Sequence, residues 1–500
     1  MSKSRKNQET VGDSRPKDVA DESYPELEDV DDSASRRFDP LAQEELWVPG
    51  LVEVEFKRSA RSGVETWNFD QEKERKNFPE VWRPELTKVL ASHRLVSWKP
   101  SFPLQYPWSS AESKESARES YFKAGRDKFV TFNFPQDANV LSVAKELRKM
   151  PEIERAVAVP RIGPPAAPLT EPLVGTSDQL VNTFCGPSGC LKNQWYVFRC
   201  GVDKAWNRPA SGRGVTIADI DWGFNATHPD LRSRIELTRN MFPNSAVPSI
   251  VTHGNKGDHG TAVLGLAGAA VNDRGMAGIA FDASLWAIQA GTDTVENHDL
   301  WVAAINFVRN TASNGRKVII LEIHTRGCSN IEMILTINQE IIRAIDDGIV
   351  VCVPAGNGNA SGDAGIGDDG VAIPETGSIL VGATKFDAVK DQRANSNGGN
   401  RVVVYAPGDR NFDVTCGFPG PGYRNGFGGT SGATAKVAGV VALMLEKNDQ
   451  LEHSEIREIL KQSQKVVVDQ GMNAVGVLLD ADQAVGEAIA RAEIPNEGTM

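Results

Sequence analysis

The sequence predicts an α/β protein, a parallel sheet covered by helices on both faces and preceded by a small α+β domain. Two patterns and the chain length carry that expectation. From about residue 195 to 490 short apolar runs alternate with amphipathic stretches, and strands separated by helices of about 10–15 residues imply a parallel, helix-covered sheet. Between residues 45 and 162 the order of patterns is βα, β, βαβ, which suits a ferredoxin-like sandwich. The 500 residues are too many for one ordinary domain, and about 150 per unit suggests roughly three.

Residues 1–44 are rich in Ser, Asp and Glu, and DESYPELEDVDD carries seven acids without one base. Such a segment buries too little apolar surface to offset its ordering entropy, so it reads as a disordered acidic tail. The 45–162 domain opens on LVEVEF, which alternates like a half-buried strand, and PELTKVLASH follows with helical spacing. RLVSW and KFVTFNF read as strands, NVLSVAKELRKM sets Val140, Val143 and Leu147 on one helical face, and ERAVAVP closes as a strand. Residues 163–194 are Pro-rich and non-periodic, hence an exposed linker. Within 195–490, GVTIADID, ASLWAIQA, KVIILEIH and IVVCVPAG read as strands. GTAVLGLAGAA, WVAAINFVRNTA, MILTINQEIIRAIDDG and SGATAKVAGVVALMLEKN read as helices. Residues 491–500 are left as a tail.

The bulk numbers exclude several functions. A net charge of −12 argues against a nucleic-acid binder, which needs a basic face to neutralise phosphates. No stretch approaches the roughly 18 uninterrupted apolar residues of a membrane span. The start, MSKSRKNQETVGDSRPKD, is polar with no apolar run behind it, so the chain reads as soluble and cytoplasmic. The six cysteines are sparse and read as free, mostly buried thiols, with a Cys185–Cys190 bridge across CGPSGC as the alternative.

Three segments set chemistry-bearing residues where a parallel sheet would use them, beyond the carboxyl ends of its strands. Asp221 ends the strand TIADID, His259 opens a helix in GDHGTAVLG, and Ser431 opens another in GGTSGATAKVAG. A serine hydroxyl needs an adjacent imidazole to take its proton, and the imidazole needs a buried carboxylate to fix its tautomer. A helix N-terminus at Ser431 also aims backbone N–H groups at developing negative charge.

The order Asp, His, Ser and the surrounding blocks resemble the subtilisin-like serine proteases. DWGFNATHPDL resembles D-[ST]-G-x-x-x-x-H-P-D-L, HGTAVLG resembles H-G-T-x-V-A-G, and GTSGATAKVAG resembles G-T-S-x-A-[ST]-P-x-V-A-G. The landmark A-A-G-N appears as PAGN, which makes Asn357 the oxyanion-hole residue. Similarity continues through NDRGMAGIAFDASLWAIQA, GSILVGATKFD, RANSNGG and YAPGD. The resemblance implies a subtilisin-like catalytic domain at 195–490, polypeptide substrates and an acyl-enzyme. It further implies that residues 45–162 are a propeptide and intramolecular inhibitor, cut from the rest within 160–194, with Arg161 as one candidate site. No cofactor is implied.

The chain departs from the family pattern in places. Ala435 replaces the proline behind the nucleophile. The substrate-lining strand, usually S-L-G-G, reads Glu322-Ile323-His324-Thr325, without the small residues that let a peptide lie flat. Gly356 lines the same cleft. Glu322 is expected either to favour a basic substrate side chain or to pair with Arg326 or another base, and Asp219 either to be a paired structural carboxylate or to perturb the Asp221–His259 couple electrostatically. Asp230 matches a residue that binds calcium in some relatives, but the loop VNDRGMAG is shorter than in calcium-loaded members, and no metal site is assigned. His93, His253, His298 and His453 carry no motif and read as surface or capping residues. Besides an active, self-processed endopeptidase, these departures leave open a catalytically impaired module that binds peptides or a partner protein.

Overall fold

The computed structural model describes residues 46–67, 74–102, 118–119, 121–163, 172–173, 194–242, 257–272, 275–292, 297–358, 362–385, 391–394, 396–409, 415–417, 422–424 and 427–493. The acidic tail, Cys185, Cys190, His253, most of the linker and residues 494–500 lie outside them.

The N-terminal part consists of β1 (Trp47–Phe56), α1 (Pro84–Ser92), β2 (Ser97–Pro100), β3 (Phe129–Asn133), α2 (Val140–Leu147) and β4 (Ile153–Pro160). Its strands pair in the order β2-β3-β1-β4, all antiparallel, which is the ferredoxin-like arrangement. The Val140, Val143 and Leu147 stripe of α2 is buried on this sheet, and Asn139 caps the helix by accepting from Ser142 N–H at 3.0 Å. RLVSW enters the sheet later than expected. Arg94 takes φ +60° and closes the turn after α1, so pairing starts only at Ser97.

Two short pairings interrupt the expected linker. β5 (Ile162–Gly163) runs directly on from β4, and β6 (Pro172–Leu173) follows. Then come α3 (Trp195–Arg199), α4 (Val202–Trp206), β7 (Thr216–Asp221), β8 (Ile235–Asn240), α5 (Gly257–Gly268), β9 (Ser284–Gln289), α6 (His298–Asn310), β10 (Lys317–Leu321), β11 (His324–Thr325), α7 (Leu335–Asp346) and β12 (Val350–Pro354). The chain continues through β13 (Ile379–Lys385), β14 (Asp391–Arg393), β15 (Val404–Pro407), β16 (Thr415–Cys416), β17 (Tyr423–Arg424), α8 (Gly429–Lys447), α9 (His453–Lys461), β18 (Val466–Val468), β19 (Ala474–Val477) and α10 (Ala481–Ala492). The last helix thus extends into the expected tail.

The large sheet has the order β19-β18-β14-β13-β12-β10-β7-β9-β8, with β15 also on β13. From β13 through β8 every neighbouring pair is parallel. Alternate residues of its strands feed two apolar layers. Ile217, Ile320 and Cys352 face α5 and α8, while Ala218, Ile220, Ile319 and Val351 face α6 and α7. The second layer is continuous with the core of the N-terminal sheet, which sits on α7. There Glu53 accepts from Thr336 Oγ1 at 2.9 Å, and Arg126 reaches Glu340 at 2.6 Å. His298, expected at the surface, is instead nearly buried in this interface, 3.3 Å from Glu53. No helix among the described residues is long and apolar enough to cross a membrane.

Candidate active site

Asp221, His259, Ser431, Asn357 and Glu322 all come from segments at the carboxyl ends of the central parallel strands or from the helices that follow. Asp221 is the last residue of β7, and its oxygens lie 2.7 and 2.9 Å from His259 Nδ1. Both side chains are buried. Burial pushes the Asp221 carboxyl up, while the His259 charge, its hydrogen bond and the Trp222 N–H at 2.5 Å pull it back. Phe427 meets the His259 ring edge-on, with centroids 5.1 Å apart, and fixes the imidazole from its other side.

Ser431 lies in the first turn of α8, whose start is defined by backbone rather than by a side-chain cap. Gly429 adopts φ +65°, and a Cβ there would stand 2.7 Å from Asn357 Oδ1, so only glycine lets the two loops meet. Asn357 Oδ1 accepts from Thr430 N–H at 2.8 Å and from its hydroxyl at 2.9 Å. That fixes the amide plane beside the residue before Ser431 and turns its N–H donors the other way. Ser431 Oγ and His259 Nε2 are both buried and make no hydrogen bond of ordinary geometry.

The expected substrate strand has an occupant. β5 pairs antiparallel with β11, Gly163 opposite His324 and Ile162 opposite Thr325, and Arg326 N–H donates to Arg161 O at 2.8 Å. An extended peptide therefore lies along this strand despite its lack of small residues. His324 folds its imidazole back, Nδ1 lying 2.5 Å from Thr325 O, and Thr325 Oγ1 accepts from Ser329 N–H at 2.9 Å. Ile323 points into the opposite apolar layer. Gly356, at φ +96°, packs so tightly on Cys328 that a Cβ would lie 2.1 Å from its carbonyl oxygen.

Glu322 does not line an exposed pocket wall and does not pair with Arg326. It has no exposure, and neither oxygen accepts a hydrogen bond of ordinary geometry. Its N–H donates to Ile220 O at 3.2 Å, which continues the β10–β7 register and brings it beside Asp221. Burial pushes its carboxyl well above the usual range, Asp221 adds to this, and the nearby Ser431 hydroxyl opposes it slightly. Asp219 is likewise buried without a hydrogen-bonding or cationic partner among the described residues, contrary to its expected role as a paired acid. Burial, Asp221 and Glu322 push it up in turn.

Asn397 was not legible as a site residue although RANSNGG marks its segment. Its amide donates to Ala355 O at 2.9 Å and Cys328 O at 2.6 Å, tying the Asn357 loop to the substrate strand. Asp230 is hydrogen-bonded from three sides. Its oxygens accept from Tyr423 Oη at 2.7 Å, Asn272 Nδ2 at 3.1 Å and Met276 N–H at 3.2 Å. His228, Asp230 and Cys416 come together, but both His228 nitrogens are engaged, by Asp230 N–H and Gly422 O.

Residues 212–479 match the family model described as the subtilase family. Subtilisin amylosacchariticus from Bacillus subtilis subsp. amylosacchariticus is 32% identical over 253 residues, covering 50% of this chain and 60% of that protein. Subtilisin from Bacillus pumilus is 32% identical over 253 residues and 84% covered. Fervidolysin from Fervidobacterium pennivorans, a keratinolytic enzyme related to subtilisin, shares the fold at TM-score 0.53 and 18% identity. The likeness spans 88% of this chain and 61% of that one.

Proposed function

Because this chain belongs to the subtilase family, we propose that it is a serine endopeptidase with Asp221, His259 and Ser431 as its triad and polypeptides as its substrates. The observation that carries the reading is the buried Asp221–His259 pair at 2.7 Å, set next to a helix that opens on Ser431. In the reaction Ser431 Oγ attacks the scissile carbonyl while its proton passes to His259 Nε2. Asp221 holds the imidazole at Nδ1 and stabilises the imidazolium. The oxyanion is met by the Asn357 amide N–H and by backbone N–H at the start of α8. The amine leaves with the proton from His259, and water releases the acyl group by the same steps.

The β5–β11 pairing supports a second part of the reading, in which residues 45–162 hold their own tail in the substrate cleft as an inhibitor. Arg161 does not fit as the cut site, because its carbonyl already engages Arg326 and its Nε donates to Trp47 O at 3.3 Å. The cut is expected beyond Gly163. The unmade Ser431–His259 hydrogen bond favours the rival reading, a catalytically impaired binding module. Ser431→Ala separates the two. It should lower peptide hydrolysis by about 10⁴–10⁶-fold, with an unchanged circular dichroism spectrum, and abolish fragments cut C-terminal to Gly163. Hydrolysis at the parent rate in Ser431→Ala would overturn the assignment.

A further inference from the structure

Two acids that the mechanism above does not use lie beside the catalytic groups: Glu322 next to Asp221 and Ser431, and Asp219 next to Asp221 and Glu322. Asp219 and Asp221 project from the same face of β7, and Glu322 follows β10 in the adjoining register, so three carboxyl groups crowd one fully buried spot. The other groups that face it come from each packed element: His259 from α5, Ser431 from α8 and Cys352 from β12. His259 is the one group among them that can carry positive charge, and it is committed to Asp221. Lys436, further along α8, turns its ammonium to Pro407 O at 2.8 Å and to the Tyr196 ring. Three negative charges here would have a single counter-charge at most, and buried carboxyls without one keep their protons. All four oxygens of Asp219 and Glu322, with Ser431 Oγ and His259 Nε2, lack hydrogen bonds of ordinary geometry.

We propose that Glu322 is a positioning residue for Ser431: as a neutral acid it donates its O–H to Ser431 Oγ, which leaves the serine proton for His259 Nε2. The inference rests on the enzymatic reading above. A neutral carboxyl has one donor and an ionised one has none. Ionised Glu322 would accept the serine proton itself and turn that hydroxyl away from His259. Glu322 keeps its proton throughout the reaction, so no extra transfer is required. The placement of burial, Asp221 and Ser431 around it agrees with a carboxyl that stays protonated far above the usual range. A second consequence is directional: raising the pH through the ionisation of Glu322 switches the nucleophile off.

The experiment follows the rate at which a fluorophosphonate labels Ser431 in the full chain across neutral and alkaline pH. The parent should show an alkaline limb, falling about tenfold per pH unit beyond a single ionisation. Glu322→Gln keeps a donor that cannot ionise, so it should label at a rate within a few-fold of the parent at neutral pH and lose the limb. Glu322→Ser, smaller and also a donor, serves the same purpose if the glutamine variant does not fold. Glu322→Ala should label more slowly at every pH. The same limb in parent and donor variants would overturn the proposal, as would a parent without one. Absence of any Ser431 adduct at all pH values would instead remove the enzymatic reading, and this inference with it.

Discussion

Glu340 and Glu322 are both wholly buried acids, one on each side of the large sheet, and their surroundings are opposite. Glu340, on α7, is met by Arg343 at 2.8 Å, Arg309 at 2.9 Å and Arg126 at 2.6 Å, the last reaching across from the N-terminal sheet. Nearby Glu332 is treated alike, by Arg401, Ser378 and Thr376. On the other face Glu322 and Asp219 have no base and no ordinary hydrogen bond. Burying a charge is tolerated when it is paired and hydrogen-bonded, so the first face surrounds its acids with partners, and through Arg126 one of them also holds the two parts together. On the second face Glu322 and Asp219 stand beside Asp221, near Ser431 Oγ and His259 Nε2, which likewise make no ordinary hydrogen bond. The contrast separates acids that serve architecture from acids that serve a site.

Removing the architectural acid should give the largest effect. Glu340→Ala would leave three arginines facing a buried gap, a class of change that costs about 3–5 kcal/mol. Arg343 already sits at about 10, pushed down by burial and held up by Glu340, and it would fall further without that carboxylate. Thermal unfolding should show the loss, and limited proteolysis should show the N-terminal sheet released first. A loss under about 1 kcal/mol would mean that Glu340 and its arginines are as loosely coupled as a surface pair.

Much of this was legible in the sequence, for reasons that differ by element. The strands β7, β10 and β12 announce themselves as apolar runs because both of their faces are covered. Asp221, His259 and Ser431 were legible as residues at element boundaries, and the structure sets Asp221 against His259 beside the helix that opens on Ser431. Arg94 ended α1 in a left-handed turn that no periodicity reports, and RLVSW was therefore misjudged by three residues. Glu322 was misread for a different reason. Sequence places it on the substrate strand but does not say which face it takes, and the β10–β7 register sends it inward. The partners of His298 and Glu340 come from a sheet far away in sequence, so no local pattern could have shown them.

Asp219→Asn tests the other side of the comparison and should have an intermediate effect that grows with pH. Folding raises the pKa of this carboxyl, so the native state holds its proton while the unfolded chain gives it up above about pH 4. Stability due to Asp219 is therefore present at low pH and declines as pH rises, by at most about 1.4 kcal/mol per pH unit. Asparagine removes that decline. The variant should match the parent in melting temperature near pH 4 and exceed it at pH 8. Equal melting temperatures at both values would mean that Asp219 is ionised and paired after all, and the contrast between the two faces would fail.

The smallest effect is expected at His298, where the N-terminal sheet meets α6. Burial alone would push its imidazole down, but the Asp299 and Glu53 carboxylates more than offset this, against a small opposing effect of Lys99, and its pKa rises. A histidine whose folded value is raised stabilises fully below its unfolded value of about 6.5 and loses that contribution as pH climbs through the folded value. The hold of the N-terminal sheet should therefore weaken on the alkaline side. Glu53 has a second anchor in Thr336, which limits the loss to roughly 1 kcal/mol. His298→Gln keeps a donor to Glu53 but cannot take up the proton. In hydrogen exchange, the amides of β1 should become more labile between pH 6 and 8.5 in the parent, beyond the intrinsic rate change, and not in the variant. Such a difference would tie the retention of this sheet to a single proton at the α6 N-terminus. Identical pH dependence in the two proteins would leave the Glu340 arginines and the Thr336 contact as its sole polar anchors among those named here.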